Sequence, residues 1–394
     1  MSILSFGTVA GGDLAAKAIM AIATVSIIRW LSPAELADHV YLTSLVILAS
    51  TLLSGFFNRH YIIVCSVPAT ARHYQRWQVT TSTSAYILLW LSLARDRDMA
   101  AALSGAACTW AISCYEFART HAQKGGAFRR YALADIVRSV LFVSAVLVVL
   151  IVKPTNIVAY LIAAQALAYA IAWWLFPSLP PKEASKESLT FTTLIADKHS
   201  LHLLVYFALL GLFGQLPILI LERTASPAEF AEYGSAMRYY GLALSIVVAA
   251  NVILLPKIAV AATFDELRDK YLESRPLLFY AMLAIVIIAA VGYLAIPWID
   301  GSKYSDAPIL FLILSSALLP GVCVAPLFAV YARMRWTFDL AVSLVIANVV
   351  CASIGVTSLA WGSIASAVSL PAAVLSQLLY LLWVLSRRRK TVIG

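Results

Sequence analysis

Runs of about twenty apolar residues recur from one end of this chain to the other, and a run of that length crosses a ~30 Å hydrocarbon core as a helix. Lipid offers no partner to a bare N–H or C=O, so such runs fold as helices that satisfy their own backbone. Composition agrees. Of the 394 residues 12% are charged and 62% hydrophobic, and mean hydropathy is +0.86, whereas a water-soluble domain carries about 25% charged residues. A packed soluble fold is excluded, and the expected class is an all-α polytopic membrane protein.

Segmentation predicts about 12 transmembrane helices, at 5–31, 40–62, 80–94, 99–118, 131–152, 156–176, 201–221, 234–261, 276–299, 307–331, 337–358 and 362–386. The first run lacks a basic flank and is too long for a cleaved signal, so a retained helix is expected there. Connections after the even-numbered spans, such as "ATARHYQRWQ", "RTHAQKGGAFRR" and the tail "RRRK", hold most of the Lys and Arg; those after the odd-numbered spans, such as "SPAELADH" and "VKPTN", hold few. Basic loops stay on the cytoplasmic side, which predicts a multi-pass protein with cytoplasmic N- and C-termini. The net charge of +9 has the same explanation, and nucleic acid is not an expected partner. Five cysteines without C-x-x-C spacing read as small hydrophobes. Neither a cofactor nor a metal is expected.

The chain also repeats itself. "RWLSPAELAD" at 29–38 aligns without a gap on "RTASPAEFAE" at 223–232, matching Arg29 with Arg223, Ser32 with Ser226, Pro33 with Pro227 and Glu35 with Glu229. Ser as N-cap, Pro at the first helical position and Glu three residues after the cap predict a helix start in each copy. Each copy follows the first apolar run of its half. The expected organisation is therefore two pseudo-symmetric six-helix bundles around a central cavity: a lobe at 1–176, a cytoplasmic linker at 177–200 and a second lobe at 201–394. An even number of helices per repeat implies an axis along the membrane normal, a binding site in the cleft and movement by rocking.

Ionisable side chains within a bilayer are costly and need a reason. Lys17 is about twelve residues into the first span, roughly 18 Å along the helix, near the midplane. Arg59 sits in the inner part of span two, and Arg238 about one turn inside span eight. A cationic track of this kind suits an anionic cargo, since Arg offers a planar fork to phosphate and Lys a movable point charge. Arg138 either joins that track or pairs with Asp135, three residues before it. Asp13 either bridges to Lys17 at i+4 or serves as a coupling carboxylate that takes a proton or cation. In span seven Gly211, Gly214, Gln215 and Pro217 cluster within two turns and are expected to form a hinge lining the cavity, because Pro frees a carbonyl that a neighbour must satisfy.

"IIRWLSPAELADHVYLTSLVILAS", with "EYGSAMRYYGLALSIVVAANVILLPKIA" in the second half, resembles the polysaccharide exporters and lipid-linked oligosaccharide (O-antigen type) flippases of the multidrug/oligosaccharidyl-lipid/polysaccharide superfamily. Ser32, Pro33, Glu35, Arg59, Tyr233, Ala236, Arg238 and Pro256 carry the resemblance. Asp38 and His39 stand near the places where the family usually has Gly and Tyr. The resemblance implies a two-lobed fold with a basic central cavity that moves an undecaprenyl-diphosphate-linked glycan across the bacterial inner membrane. Membrane lipids and other polysaccharide-assembly proteins are the implied partners.

On this reading the chain is not an enzyme but a flippase for a polyprenyl-diphosphate-linked oligosaccharide working by alternating access, with Lys17, Arg59, Arg238 and Arg138 as substrate contacts. The alternative is a cation-coupled multidrug efflux antiporter with Asp13 as coupling group, for which a basic cleft is a poor receptor. A membrane-embedded glycosyltransferase or ligase is the third option. It rests on "DRD" at 96–98, a three-residue pattern whose carboxylates the flanking arginines can neutralise, with no P-loop, H-E-x-x-H or nucleophile elbow beside it.

Overall fold

A computed structural model describes residues 3–63, 71–94, 97–125, 127–176, 196–259, 264–300 and 303–393. Most of the expected linker, Arg95 and Asp96 of "DRD", Cys65, and the side chains of Asp13 and Pro256 lie outside the described residues. The protein is all-α, with no strand among the described residues. Its helices are α1 (Ile3–Trp30), α2 (Pro33–Thr51), α3 (Ser54–Ile63), α4 (Ala71–Leu89), α5 (Met99–Lys124), α6 (Phe128–Val152), α7 (Ile157–Leu175), α8 (Lys198–Thr224), α9 (Pro227–Ala259), α10 (Phe264–Glu273), α11 (Arg275–Asp300), α12 (Ala307–Ser315), α13 (Leu318–Arg333), α14 (Thr337–Val356) and α15 (Ser358–Ile393). Each of the twelve expected spans coincides with one helix or one broken helix, and α10 is an additional short one.

Eight of the described helical segments have the length and hydropathy of a membrane crossing. Helix α4 is more polar, and its Gln78 and Ser82 are buried, with Gln78 Nε2 donating to the Ser113 carbonyl of α5 at 3.4 Å. Outward-facing Leu88, Trp174, Leu294 and Trp361 are exposed apolar side chains, as expected of surfaces turned to lipid.

The contacts divide the chain into two compact units, 1–215 and 216–394, so α8 gives its first part to one and its last turns to the other. In the first unit α1 runs along α6 and α5 along α7; in the second α14 runs along α15, and α9 packs on α12 and α13.

The repeated segment folds the same way in both copies. Ser32 N and Oγ donate to Glu35 Oε2 at 2.8 and 2.7 Å while Glu35 N returns a bond to Ser32 Oγ at 3.3 Å. Ser226 and Glu229 reproduce this at 3.0, 3.0 and 3.3 Å. Both boxes satisfy donors that a helix start leaves bare.

Breaks in the helices have local causes. Span two is interrupted at Leu52–Leu53, just after Ser50 and Thr51 turn their hydroxyls back to the Ile47 carbonyl at 3.1 and 2.7 Å, an arrangement that bends helices. Span ten breaks at Ser316–Ala317, four residues before Pro320, whose missing N–H leaves the Ser316 carbonyl without its helical partner. Helix α15 is kinked at Gly362, with φ 56 and ψ −143. A Cβ there would stand 2.8 Å from Glu229 Oε1, so the capping box of the second unit closes over a position only glycine fits.

Candidate functional site

Beside the break in span two lies a cavity of about 480 Å³ within the first unit. Ile47, Thr51, Ser54, Gly55, Asn58 and Arg59 line it from α2 and α3, Thr120 from α5, and Phe207, Leu210, Gly211, Gly214 and Gln215 from α8. Gly211 packs closely on the break in span two, because a Cβ there would lie 2.9 Å from the Leu52 Cα. Gly214 is different: a Cβ there meets nothing within 4 Å, so a side chain at this position would enter open space.

The cavity's charge is that of a single cation. Arg59 has an exposed side chain in the lining, and the lining contains no Asp, Glu or Lys. Guanidinium supplies five N–H donors and accepts nothing. Around it stand the hydroxyls of Thr51, Ser54 and Thr120 and the amides of Asn58 and Gln215. Asn58 Oδ1 and Gln215 Oε1 are buried without a hydrogen-bond partner among the described residues, a state that costs about 1–3 kcal/mol per group and is relieved by a donor brought by a ligand or by a second conformation. Phe207, Ile47 and Leu210 give apolar walls.

Among the described residues, the other cations expected at the site are elsewhere. Arg138 is buried on α6 in an ion pair with Asp135. Its guanidinium also lies 4.8 Å from the centre of the Tyr169 ring. Lys17 is half-buried on α1 and is not in the cavity lining. Arg238 is half-buried in the second unit, next in sequence to Tyr239, whose hydroxyl donates to the buried Asp300 together with Ser235 Oγ at 2.9 Å. Of the expected hinge residues, Gly211, Gly214 and Gln215 line the cavity, while Pro217 is buried and outside the lining.

Asn58 and the three hydroxyls were not expected at the site; the signal for Asn58 was a second polar residue beside Arg59 in an apolar run. Asp300, one position beyond the expected end of the ninth span at 299, is the buried last residue of α11.

His60, next to Arg59, is buried. Its Nδ1 is 2.8 Å from the Tyr74 hydroxyl of α4, and its Nε2 is 3.3 Å from Ser200 Oγ in the first turn of α8. Ser200 in turn donates from Oγ and from its backbone N to Asp197 Oδ2, at 3.2 and 3.1 Å. Slight burial would raise the Asp197 pKa, but the backbone N–H groups of Ser200 and His199 outweigh it and hold the carboxyl below the usual range.

A second hollow, of about 270 Å³, contains Glu35, Asp38, Arg97, Asp98 and Asn156. There Arg97 pairs with Asp38, and Asn156 Nδ2 donates to Asp98 Oδ2 at 2.6 Å. The described part of "DRD" is thus taken up in contacts with α2 and with the residue before α7.

The fold is similar to those of solved MOP superfamily transporters. The lipid II flippase MurJ in an inward closed conformation is similar with a TM-score of 0.70 at 11% identity, covering 98% of this chain and 88% of that one. A MATE protein in complex with MaD3S gives 0.66 at 13%, covering 98% and 96%. A MOP superfamily transporter from Pyrococcus furiosus, noted for the reverse polarity of its binding pocket, gives 0.63 at 12%, covering 97% and 95%. No family model and no curated protein matches the sequence. At these identities the likeness is one of fold.

Proposed function

We propose that this chain is a flippase of the bacterial inner membrane that moves a polyprenyl-diphosphate-linked oligosaccharide, the repeat unit of a polysaccharide, by alternating access with both termini in the cytoplasm. The observation that carries the reading is the composition of the cavity in the first unit: Arg59 without a carboxylate, surrounded by hydroxyls and by two amide oxygens that lack donors. Guanidinium binds diphosphate through paired charge-assisted hydrogen bonds, and amides and hydroxyls suit the donors and acceptors of sugars. The lipid II flippase among the fold neighbours supports a lipid-linked cargo. Lys17 and Arg238 belong to the wider proposal as further cations for the cargo, and Gly211, Gly214, Gln215 and Pro217 as the hinge; Arg138, paired with Asp135, does not.

The MATE proteins of the same fold support a second reading, cation-coupled efflux of organic cations, in which Asp13 would couple. The lining of the cavity counts against it, since Arg59 repels a cationic cargo and no carboxylate there attracts one. Proteoliposomes separate the two readings. A fluorescent short-chain prenyl-diphosphate disaccharide should move out of reach of an external quencher in a protein-dependent way, and ethidium should not. Protein-dependent movement of ethidium alone would replace this reading with the second.

A further inference from the structure

Successive residues of a helix point about 100° apart, and this separates the work of Arg59 and His60. Arg59 faces the cavity, whereas His60 faces the protein and links three helices: its own α3, α4 through Tyr74 and the start of α8 through Ser200. Helices α3 and α8 are two walls of the cavity, so a change at this junction is felt by both.

The hydrogen bonds assign the neutral tautomer. A carboxylate only accepts, so Ser200 commits its one hydroxyl proton to Asp197, and its oxygen can then only accept from His60. Nε2 of His60 therefore carries the hydrogen, and Nδ1 accepts from the Tyr74 hydroxyl. Adding a proton to Nδ1 forces Tyr74 to turn and become the acceptor. It also makes Nε2–H···Ser200 a charge-assisted bond with the Asp197 carboxylate next along the chain of bonds. Charged and titratable neighbours enter from each packed element. Arg59 precedes His60 on α3, Tyr74 faces it from α4, Ser200 faces it from the first turn of α8, and Asp197 stands just before that helix. From α5, His121 lies 2.6 Å from the hydroxyl of adjacent Tyr61, and Lys124 donates to the Tyr61 carbonyl at 2.7 Å. Burial opposes the added proton most, the nearby cations oppose it too, and Asp197 favours it. Imidazole is the side chain whose ordinary titration falls between about pH 5 and 8.

We propose that His60 is a proton-binding site whose occupancy tightens the link between α3 and the start of α8 and thereby sets access to the cavity. The inference rests on the transport reading only in taking this cavity as the place of the cargo. Anionic cargo at Arg59 would offset the charge beside His60, so cargo and proton favour one another, and linkage makes the effect reciprocal.

The test reads the cavity without cargo, so its failure leaves the transport reading standing. Gly214→Cys places a thiol in the open part of the cavity. Its labelling by a membrane-impermeant maleimide is followed in proteoliposomes from pH 5 to 8.5, after subtracting the labelling of the chain without that cysteine. The rate, divided by that of the same cysteine in His60→Gln, should change at least tenfold with a single midpoint. Ser200→Ala, which removes one hydroxyl and cuts the path to Asp197, should keep the transition but move its midpoint to lower pH. This second variant keeps the test decisive where His60→Gln lowers the yield of folded protein, because the raw profile of Gly214→Cys can be compared with and without Ser200→Ala. A ratio without pH dependence, or a transition that stays in place in Ser200→Ala, overturns the proposal.

Discussion

Arg138 and Asp135 hold each other one turn apart on α6, with Nε and Nη2 of the guanidinium 3.0 and 2.9 Å from Oδ1. Tyr115 adds a hydroxyl donor to the same oxygen at 3.2 Å, and Arg119 reaches Oδ2 at 3.5 Å. The pair is buried, so removing Asp135 strands the Arg138 guanidinium, whereas removing Arg138 leaves Asp135 its longer contact with Arg119. Asp135→Ala should cost about 3–5 kcal/mol, whereas Asp135→Leu with Arg138→Met should be close to neutral. Thermal unfolding of the detergent-solubilised protein reads the difference. Equal losses in the single and double variants would mean the pair does not form.

Gly211 and Gly214, one turn apart on α8, should respond oppositely to the same change. Valine at Gly211 meets the backbone at Leu52, where the first Cβ atom alone is 2.9 Å from Cα, and should lower the melting temperature and the yield of folded protein. Valine at Gly214 enters free space and should leave melting within about 0.5 kcal/mol of the parent beyond its helix propensity, while reducing movement of a bulky cargo.

The two capping boxes give a symmetric prediction. Ser32→Ala and Ser226→Ala should each cost about 1 kcal/mol, and the double variant should cost their sum, since the boxes share no partner. A loss confined to one of them would show that the repeat is not used alike in the two halves.

Much of this was legible in the sequence for reasons of scale. Spans are set by runs of about twenty residues, and the caps by four residues, so both are local. Arg59 stood out because a cation in an apolar run needs a reason, and the Asp135–Arg138 pair because i and i+3 share a helix face. What was not legible depends on contacts between distant parts of the chain. Ser200 meets His60 across 140 positions, and no local pattern announces it. The break at Leu52–Leu53 comes from hydroxyls folding back on the Ile47 carbonyl, a choice that Ser and Thr make in some helices and not in others. Asp300 falls one position beyond the expected end of the ninth span at 299, and its burial follows from Ser235 and Tyr239 on the neighbouring α9.

The most direct test of the account is the charge at position 59. Transport of the fluorescent prenyl-diphosphate disaccharide is measured in proteoliposomes for the parent, Arg59→Lys and Arg59→Ala at matched protein content, with melting temperature as the control for folding. Arg59→Ala should lose at least tenfold in rate at subsaturating cargo, about 1.4 kcal/mol, while Arg59→Lys, which keeps the charge but not the fork, should fall between. An Arg59→Ala protein that moves the cargo as fast as the parent would contradict the claim that this cation receives the diphosphate.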